Sequence, residues 1–419
     1  MTKSFTIFFT ALISMEATDS VVAQNFWQRV GLDSLYVYDF AFNSQGHVFA
    51  GTDRGVFRST NNGDNWTQIN SGLTDTSVTA LSVNSVDHVF AGTWNEGGVY
   101  RSTDVGTTWM QVFGEGCWSS IATNSSDHIF VGAVGYDCPS HSGIWRSTDN
   151  GKSWDSLGLN ILIEAIEINK SGDIFTGGGF GVSNIYRSSD NGANWTLLYA
   201  MGGGSGGGEA IVFQQNGIMY WAPGVNDAGV LRSTDNGTTW DTVNAGLSNL
   251  NVWSLAIDSN EYIYAGTPGG GVFHSSNNGI SWDTINTGLT NRSVWSLAVS
   301  PSGYVFAATW GGGVFRSVQS TTSVREVSRR IPAAFALEQN YPNPFNPSTV
   351  IRYSLPVTGY VTLKVYNALG QEVASLVNEE LKPGTYEVRW DASGFASGVY
   401  FYRLQAGSLA EMKKLMLIR

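Results

Sequence analysis

Hydrophobic and polar residues alternate in short runs along most of the chain, and glycine-containing turns separate these runs. One unit reads Val252-Trp-Ser-Leu-Ala-Ile257, then Tyr262 to Gly266, then Gly271 to His274. Runs of this length, with turn residues between them, are typical of short β-strands joined by hairpins. The pattern predicts an all-β protein.

An eight-residue box, such as Ser147-Thr-Asp149-Asn-Gly151-Lys-Ser-Trp154, recurs along the chain at intervals of 41 to 45 residues. The six boxes run from Ser59 to Trp66, Ser102 to Trp109, Ser147 to Trp154, Ser188 to Trp195, Ser233 to Trp240 and Ser275 to Trp282. This period is typical of four-stranded propeller blades. Seven inner strands are predicted to begin near Val37, Val78, Trp118, Ile163, Gly208, Val252 and Val294. The sequence therefore predicts a seven-bladed β-propeller.

The seventh unit ends near Ser317 without a box or an outer strand, and the missing piece lies at the other end of the chain. Asn25-Phe-Trp27-Gln-Arg-Val30 is similar to Asn65-Trp66-Thr-Gln-Ile69. We expect residues 25–32 to pair into blade seven, because a closed ring removes the exposed edges of an open array. The propeller is predicted to span residues 25–318.

The amino-acid composition agrees with a β-propeller, and the net charge limits the classes of partner that we expect. The 419 residues include 50 Gly, 15 Trp, 17 Tyr and 21 Phe, and only 14% are charged, which excludes disorder and helical bundles. A net charge of −11 makes nucleic acid an unexpected partner. Lys3 precedes an apolar run from Phe5 to Met15 that is too short to span a bilayer. We interpret residues 1–24 as a signal peptide and predict no transmembrane span.

The boxes resemble the Asp-box (bacterial neuraminidase) repeats of sialidases and sortilin-type receptors. The resemblance covers about residues 36 to 317 and implies the propeller fold. It implies no single activity, because proteins with these repeats have different functions. No cofactor is expected. His47, His88 and His128 recur in different blades, so no metal site is expected either.

The last quarter of the chain has a different pattern. Residues 319–340 show no periodicity and are predicted to be a linker. Residues 341–419 are predicted to form a small β-sandwich. Its strands are expected near Val350 to Leu355, Tyr360 to Tyr366, Thr385 to Asp391, Val399 to Leu404 and Met412 to Ile418.

Four motifs in residues 341–419 resemble the type A C-terminal sorting domain of the type IX secretion system. They are Tyr341-Pro-Asn-Pro-Phe-Asn-Pro-Ser-Thr349, Val365-Tyr-Asn-Ala-Leu-Gly370, Ser397-Gly-Val-Tyr-Phe-Tyr-Arg403 and Lys413-Lys-Leu-Met-Leu-Ile-Arg419. The resemblance implies passage through the periplasm, recognition of residues 341–419 by the type IX translocon, and an extracellular or cell-surface location. Residues 25–328 hold twelve Lys and Arg against twenty-five Asp and Glu, while residues 329–419 hold ten against seven. This charge difference is compatible with two modules.

Aromatic residues are expected to gather at one end of the channel. When the blades are aligned, Tyr38, Trp253 and Trp295 lie one step into the inner strands of the neighbouring blades one, six and seven. Trp94 and Trp310 follow second strands and are predicted to lie on the same face. Flat rings with nearby polar groups suit sugars, so these five residues are candidates for binding a glycan or a protein. The alternative is that the rings only line the channel.

Evidence for catalysis is weaker. Glu164 and Glu209 are the only pair of acids that the alignment brings to adjacent blades, and two carboxyls at a suitable distance can hydrolyse a glycosidic bond. The simpler interpretation is that both are solvated charges. Arginines recur before the boxes, whereas Arg54 and Arg292 fall outside this repeat. We predict a binding protein, with a glycoside hydrolase and a purely structural or adhesive component as alternatives.

The two cysteines of the chain match no zinc-site spacing. Cys117 begins the inner strand of blade three, and Cys138 lies in the long loop between that blade's second and third strands. We predict a disulfide between Cys117 and Cys138 that holds this loop in place.

Overall fold

The structure is a computed structural model that describes residues 25–95, 97–134, 142–179, 182–202, 210–224, 227–318, 325–328, 332–346, 348–392 and 395–418. The predicted signal peptide, Cys138 and Glu209 lie outside these residues. Within the described part of the chain, every regular element is a β-strand.

Among the described residues up to 317, twenty-eight strands form the first part of the molecule. They are β1 (Trp27–Gly31), β2 (Val37–Phe42), β3 (Val48–Thr52), β4 (Gly55–Ser59), β5 (Thr67–Gln68), β6 (Val78–Val83), β7 (Val89–Thr93), β8 (Val99–Ser102), β9 (Met110–Phe113), β10 (Trp118–Thr123), β11 (Ile129–Ala133), β12 (Gly143–Ser147), β13 (Asp155–Ser156), β14 (Ala165–Ile168), β15 (Ile174–Gly178), β16 (Val182–Ser188), β17 (Thr196–Gly202), β18 (Ala210–Phe213), β19 (Met219–Ala222), β20 (Leu231–Ser233), β21 (Asp241–Thr242), β22 (Ser254–Ile257), β23 (Ile263–Thr267), β24 (Gly271–Ser275), β25 (Asp283–Thr284), β26 (Val294–Val299), β27 (Val305–Thr309) and β28 (Gly313–Ser317).

These strands form seven four-stranded antiparallel sheets arranged as a ring. Six sheets run in chain order, from β2-β3-β4-β5 in blade one to β22-β23-β24-β25 in blade six, and the seventh has the order β26-β27-β28-β1. The inner strands β2, β6, β10, β14, β18, β22 and β26 contact one another in sequence, and β26 contacts β2 again. Buried aliphatic and aromatic residues fill the spaces between neighbouring blades. The predicted seven-bladed propeller is confirmed.

The ring is closed by the first strand of the described chain. β1 pairs with β28 in antiparallel fashion, with Trp27 opposite Ser317. The Trp27 backbone N–H donates to the Thr287 carbonyl at 3.0 Å, and its indole Nε1 donates to the Ile285 carbonyl at 2.6 Å. Trp109, a box tryptophan, makes the equivalent bonds to blade one at 2.8 and 2.6 Å. Trp27 therefore has the role in blade seven that a box tryptophan has elsewhere.

Each box is a turn held by its own side chains. In blade two, Ser102 Oγ accepts the Gly106 N–H at 2.7 Å, and Asp104 Oδ1 accepts the Thr108 N–H at 2.8 Å. Gly106 has a φ of 85°, which glycine adopts at little cost. In three other boxes, hydrogen bonds from a side chain and a backbone N–H four residues later lower the aspartate pKa to about 2. The boxes are thus structural elements of the fold.

The arginines that precede the boxes join neighbouring blades. In five of the seven blades, this guanidinium donates to a backbone carbonyl in the box of the next blade. The pairs are Arg58 with Val105, Arg101 with Asn150, Arg146 with Asn191, Arg232 with Asn278 and Arg316 with Asn62. Arg187 instead forms an ion pair with Asp173 at 2.6 Å. These side chains stabilise the ring and lie on the box face.

A small β-sandwich follows the propeller. Its strands are β29 (Arg325–Ser328), β30 (Ala336–Leu337), β31 (Ser348–Leu355), β32 (Gly359–Asn367), β33 (Glu372–Leu381), β34 (Gly384–Asp391), β35 (Gly398–Ala406) and β36 (Leu409–Leu417). They form two sheets with the orders β29-β34-β31-β30 and β33-β32-β35-β36. One hydrophobic cluster, with Tyr353, Leu363, Tyr402 and Leu415 fully buried, lies within it. The predicted fold class is confirmed for this domain as well.

Two features of this domain were not predicted from the sequence. β33 was missed, because its charged sequence, with Glu372, Glu379 and Glu380, lacks apolar alternation and it is an edge strand. The expected linker at residues 319–340 contains β29 and β30, which pair with β34 and β31 at the edges of one sheet. Such short edge strands are defined by backbone pairing, which leaves little periodicity in the sequence.

Candidate functional site

One face of the propeller is formed by the loops that enter the inner strands and the loops that join second and third strands. Side-chain amides connect the two kinds of loop. Asn249 Nδ2 donates to the Pro268 carbonyl at 2.9 Å in blade six, and Asn291 Nδ2 donates to the Trp310 carbonyl at 3.0 Å in blade seven. The two kinds of loop therefore share one face, as the sequence alignment of the blades predicts.

The second residue of several inner strands is a β-bulge, which changes the direction of its side chain. The pairing register shifts at Tyr38 in β2, Thr79 in β6, Ser119 in β10 and Trp295 in β26. The Thr79 hydroxyl donates to the Trp118 carbonyl of the next blade at 2.7 Å, and the Ser119 hydroxyl donates to the Ile163 carbonyl at the start of blade four. Blades two and three thus use this position to bind a neighbouring blade, whereas blades one and seven place an aromatic ring there.

Five aromatic rings from blades six, seven and one form a continuous group, here called the aromatic cluster. Its members are Tyr36, Tyr38, Trp253, Trp295 and Trp310. Ring centroids are 4.9 Å apart for Trp253 and Trp295, 5.0 Å for Trp295 and Trp310, 6.3 Å for Tyr38 and Trp295, and 4.8 Å for Tyr36 and Trp310. Most of these pairs are edge-to-face, which is a favourable arrangement for aromatic rings.

The two outermost rings of the cluster are exposed on a rigid support. Trp310 is 47% exposed and Tyr36 is 36% exposed, while Tyr38, Trp253 and Trp295 are partly buried. The Trp310 N–H donates to the Ser293 carbonyl at 2.8 Å. Tyr36 and Asp53 are joined by two hydrogen bonds of 3.0 and 3.1 Å. Both rings are therefore held in place by their loop backbones.

Tyr36 was missed by the sequence analysis, and Trp94 is not part of the cluster. Tyr36 precedes β2 in the entering loop, a position that the strand alignment did not compare between blades. Trp94 packs in blades two and three against Cys117, Val134 and Leu162. Its loop lies on the predicted face, but two blades away from blade seven.

The remaining sequence candidates are only partly described. Glu164 is partly buried at the entrance to β14, and its backbone N–H donates to the Gly177 carbonyl at 2.9 Å. Because Glu209 lies outside the described residues, the acid pair stays a prediction. Cys117 is disulfide-bonded. The described residues contain no group of three His, Cys, Asp or Glu side chains placed to hold a metal ion.

The phenol of Tyr38 is less acidic than that of an ordinary tyrosine. Burial raises the pKa of its phenol, and the nearby negative charge of Asp53 and the phenol of Tyr36 raise it further. The Tyr38 hydroxyl therefore stays protonated at neutral pH and is able to donate a hydrogen bond.

Two acids that the sequence analysis did not single out lie on inner strands β2 and β14. Burial raises the pKa of Asp39 to about 7, although the Leu81 and Phe40 N–H groups donate to its carboxylate at 2.7 and 2.8 Å. The Glu167 side chain is exposed to the solvent inside the central channel, and the surrounding protein disfavours its charged form. This desolvation raises the pKa of Glu167 to about 7, with a further contribution from the charge of Asp39. Blades one and four lie on opposite sides of the ring, so the two acids repel across the channel.

Raising the pH is expected to destabilise the propeller through these acids. Their folded-state pKa values of about 7 exceed the ordinary values of 3.8 and 4.5, so the folded chain retains protons that the unfolded chain releases. Stability therefore falls as pH rises from about 4 through about 7. Glu167→Gln should reduce this fall, measured as the difference in unfolding free energy between pH 5 and pH 8. An unchanged difference in the variant would show that Glu167 does not titrate as described.

The fold and the C-terminal domain together define the class of protein: a β-propeller carrying a sorting domain. Residues 339–418 match the family described as Secretion system C-terminal sorting domain. This match confirms the type IX resemblance of the C-terminal region. The chain is therefore exported to the cell surface or beyond by type IX secretion. Within the described residues, no helix is long and apolar enough to cross a membrane.

Several solved structures are similar to the chain. PorZ, a bacterial surface component of the type IX secretion system of Porphyromonas gingivalis, is 16% identical with a TM-score of 0.54, and the match covers 92% of this chain and 59% of PorZ. YCF48 bound to D1 peptide is 16% identical with a TM-score of 0.57, covering 71% and 98%. The extracellular domain of the putative hybrid two-component system BT3049 of B. thetaiotaomicron is 13% identical with a TM-score of 0.59, covering 94% and 58%.

These similarities establish the propeller fold. They carry no conclusion about function, because the sequence identities are low. The chain spans less than two thirds of the length of the PorZ and BT3049 structures. No curated protein matches the chain significantly.

Proposed function

We propose that this protein is an exported propeller that binds an extracellular glycan through the aromatic cluster, without catalysis. The observation that carries the proposal is the run of five rings across blades six, seven and one, with Trp310 and Tyr36 exposed at its surface. Exposed rings fixed by backbone hydrogen bonds suit the flat C–H faces of sugars, because little side-chain entropy is lost on binding.

Two alternatives remain as proposals. YCF48 was solved with a bound peptide, which supports a protein ligand as a second candidate for a propeller of this shape. Glycoside hydrolysis by Glu164 and Glu209 is the other alternative. Both alternatives are tested in the glycan array described below, the protein ligand by including peptides and the hydrolase by measuring released sugar.

We also propose that the boxes are Asp-box repeats. The serine and aspartate hydrogen bonds within each turn, the positive φ of the box glycine and the tryptophan contact with the preceding blade support this assignment. The assignment concerns the fold, and the binding proposal does not depend on it.

The domain boundaries follow the same interpretation. We propose a signal peptide at residues 1–24, a propeller at 25–318, a connecting segment at 319–340 that contributes edge strands, and a sorting domain at 341–419. We propose that the disulfide partner of Cys117 is Cys138, since the chain has only these two cysteines.

Trp310→Ala should weaken glycan binding about tenfold or more, because it removes the most exposed ring of the cluster. The measurement is a glycan array with the full mature chain, followed by isothermal titration calorimetry on the strongest glycan. Ile280→Ala is a matched control, because Ile280 is 64% exposed and lies in a box on the opposite face.

Unchanged affinity in Trp310→Ala, or an equal loss in Ile280→Ala, would contradict the proposed site. Binding of peptides and no glycans would favour the protein-ligand alternative. Sugar release that Glu164→Gln abolishes would favour the hydrolase.

A further inference from the structure

Two cations on the aromatic face have no partner among the residues that the structure describes. The described part of residues 25–318 contains nine arginines, and seven of them form an ion pair or donate to a backbone carbonyl: Arg29, Arg58, Arg101, Arg146, Arg187, Arg232 and Arg316. The guanidinium groups of Arg54 and Arg292 make no such contact with a described residue, and both side chains are exposed. Both lie in loops of the face that carries the aromatic cluster.

Backbone hydrogen bonds place these two arginines on either side of the exposed rings. The Arg292 carbonyl accepts the Gly269 and Gly271 N–H groups of blade six at 2.9 Å, and the neighbouring Asn291 is bonded to Trp310. Arg54 follows Asp53, which is bonded to Tyr36, and precedes Gly55, which donates to the loop entering blade two. The order across the face is therefore Arg292, Trp310, Tyr36, Arg54.

Three described acids of the nearby loops already have partners within the protein. Asp53 accepts the Tyr36 N–H at 3.0 Å, Asp75 accepts the Ser77 and Asn95 N–H groups, and Asp33 pairs with Arg29 at 2.8 Å. Lys152 and Lys170 lie in a box and in a first hairpin, on the opposite face. In a propeller with an excess of acids, two guanidinium groups that contact no described acid place a local positive charge beside the exposed rings.

We propose that the ligand is an acidic glycan, whose carboxylate or sulfate groups bind Arg54 and Arg292 while its sugar rings stack on Trp310 and Tyr36. Guanidinium groups bind planar carboxylates and sulfates through two parallel hydrogen bonds, a geometry that neutral sugars do not offer. Because the cations lie at both ends of the ring pair, the site suits an oligosaccharide with acidic groups on separate sugars. This inference rests on the proposed glycan-binding function and specifies its substrate class.

The experiment uses the full mature chain on an array that pairs acidic glycans with neutral counterparts, such as hexagalacturonate and its methyl ester, and sulfated glycans with desulfated ones. We expect binding to the acidic member of a pair and a marked weakening with salt. Arg54→Gln and Arg292→Gln should each weaken binding of the acidic glycan about fivefold and leave the neutral counterpart unaffected. Lys170→Gln, an equal change of charge on the opposite face, is the control.

The possible outcomes distinguish a failure of the acidic preference from a failure of glycan binding itself. Equal binding of acidic and neutral members, lost in Trp310→Ala but not in Arg54→Gln or Arg292→Gln, would overturn the acidic preference and keep the glycan site. An equal loss in Lys170→Gln would show a general charge effect and overturn the role of the two arginines. Failure of every glycan to bind would overturn the proposed function itself.

Discussion

Trp27→Ala should lower the free energy of unfolding by about 3–5 kcal/mol, the usual cost of removing a buried tryptophan. Trp27 is 1% exposed, packs between blades six and seven, and donates two hydrogen bonds to blade six. The loss should be concentrated at the closure, because β1 is the strand that completes blade seven. Chemical denaturation gives the free energy, and hydrogen exchange at the amides of β28 reports the closure.

Trp109→Ala is the matched control for this experiment. Trp109 is 5% exposed and makes equivalent bonds between blades two and one, but its blade is continuous in sequence. We expect a similar loss of global stability, with a smaller loss of amide protection at β28 than in Trp27→Ala. Equal protection of β28 in the two variants would show that closure does not depend on Trp27.

Removal of residues 339–419 should abolish delivery of the protein to the cell surface and medium. These residues contain the region that matches the sorting-domain family, and the propeller has its own buried cores between the blades. The truncated chain should therefore accumulate in the periplasm as a protease-resistant propeller. Cell fractionation of a bacterium with a type IX secretion system, followed by immunoblotting, gives the measurement.

A point substitution separates the effect of the domain from that of chain length. Leu415 is fully buried in the sandwich, so Leu415→Asp should disrupt that domain and block export without shortening the chain. Trp310→Ala, which changes only the propeller, should be exported normally. Surface delivery of the truncated chain at the level of the full chain would contradict the role of the domain.

The propeller could be predicted because the same pattern of strands and turns recurs in each repeat. Each box marks the same turn, and a mismatch between seven inner strands and six boxes pointed to the N-terminal segment as the missing strand. The tryptophan was decisive, because only the Trp27 segment offered an indole at the correct distance from a strand. Because seven units agreed, small errors in single strands did not change the predicted fold. For example, β14, β18 and β22 begin two residues later than the sequence predicts.

The sandwich was harder to predict, because nothing in it repeats. Strands with apolar alternation, such as β32 and β35, were found, since their buried residues form the core. β33 and β29 were missed, because edge strands are paired on one side only and neither sequence alternates regularly between apolar and polar residues.

The site was only partly predictable. Alignment of the blades found Tyr38, Trp253 and Trp295, because all three occupy the same position of the repeat, at the start of an inner strand. It could not find Tyr36, or show that Arg54 and Arg292 lack a partner among the described residues, because both depend on loop conformation. Asp39 and Glu167 were also missed, since an acid on a strand shows its enclosure only when the ring is closed.

The crystal structure of the full mature chain with the strongest glycan from the array tests the central claim most directly. We expect a sugar ring stacked on Trp310 or Tyr36, with an acidic group hydrogen-bonded to Arg54 or Arg292. A glycan bound on the box face, or on the aromatic face without contact to either ring, would contradict it.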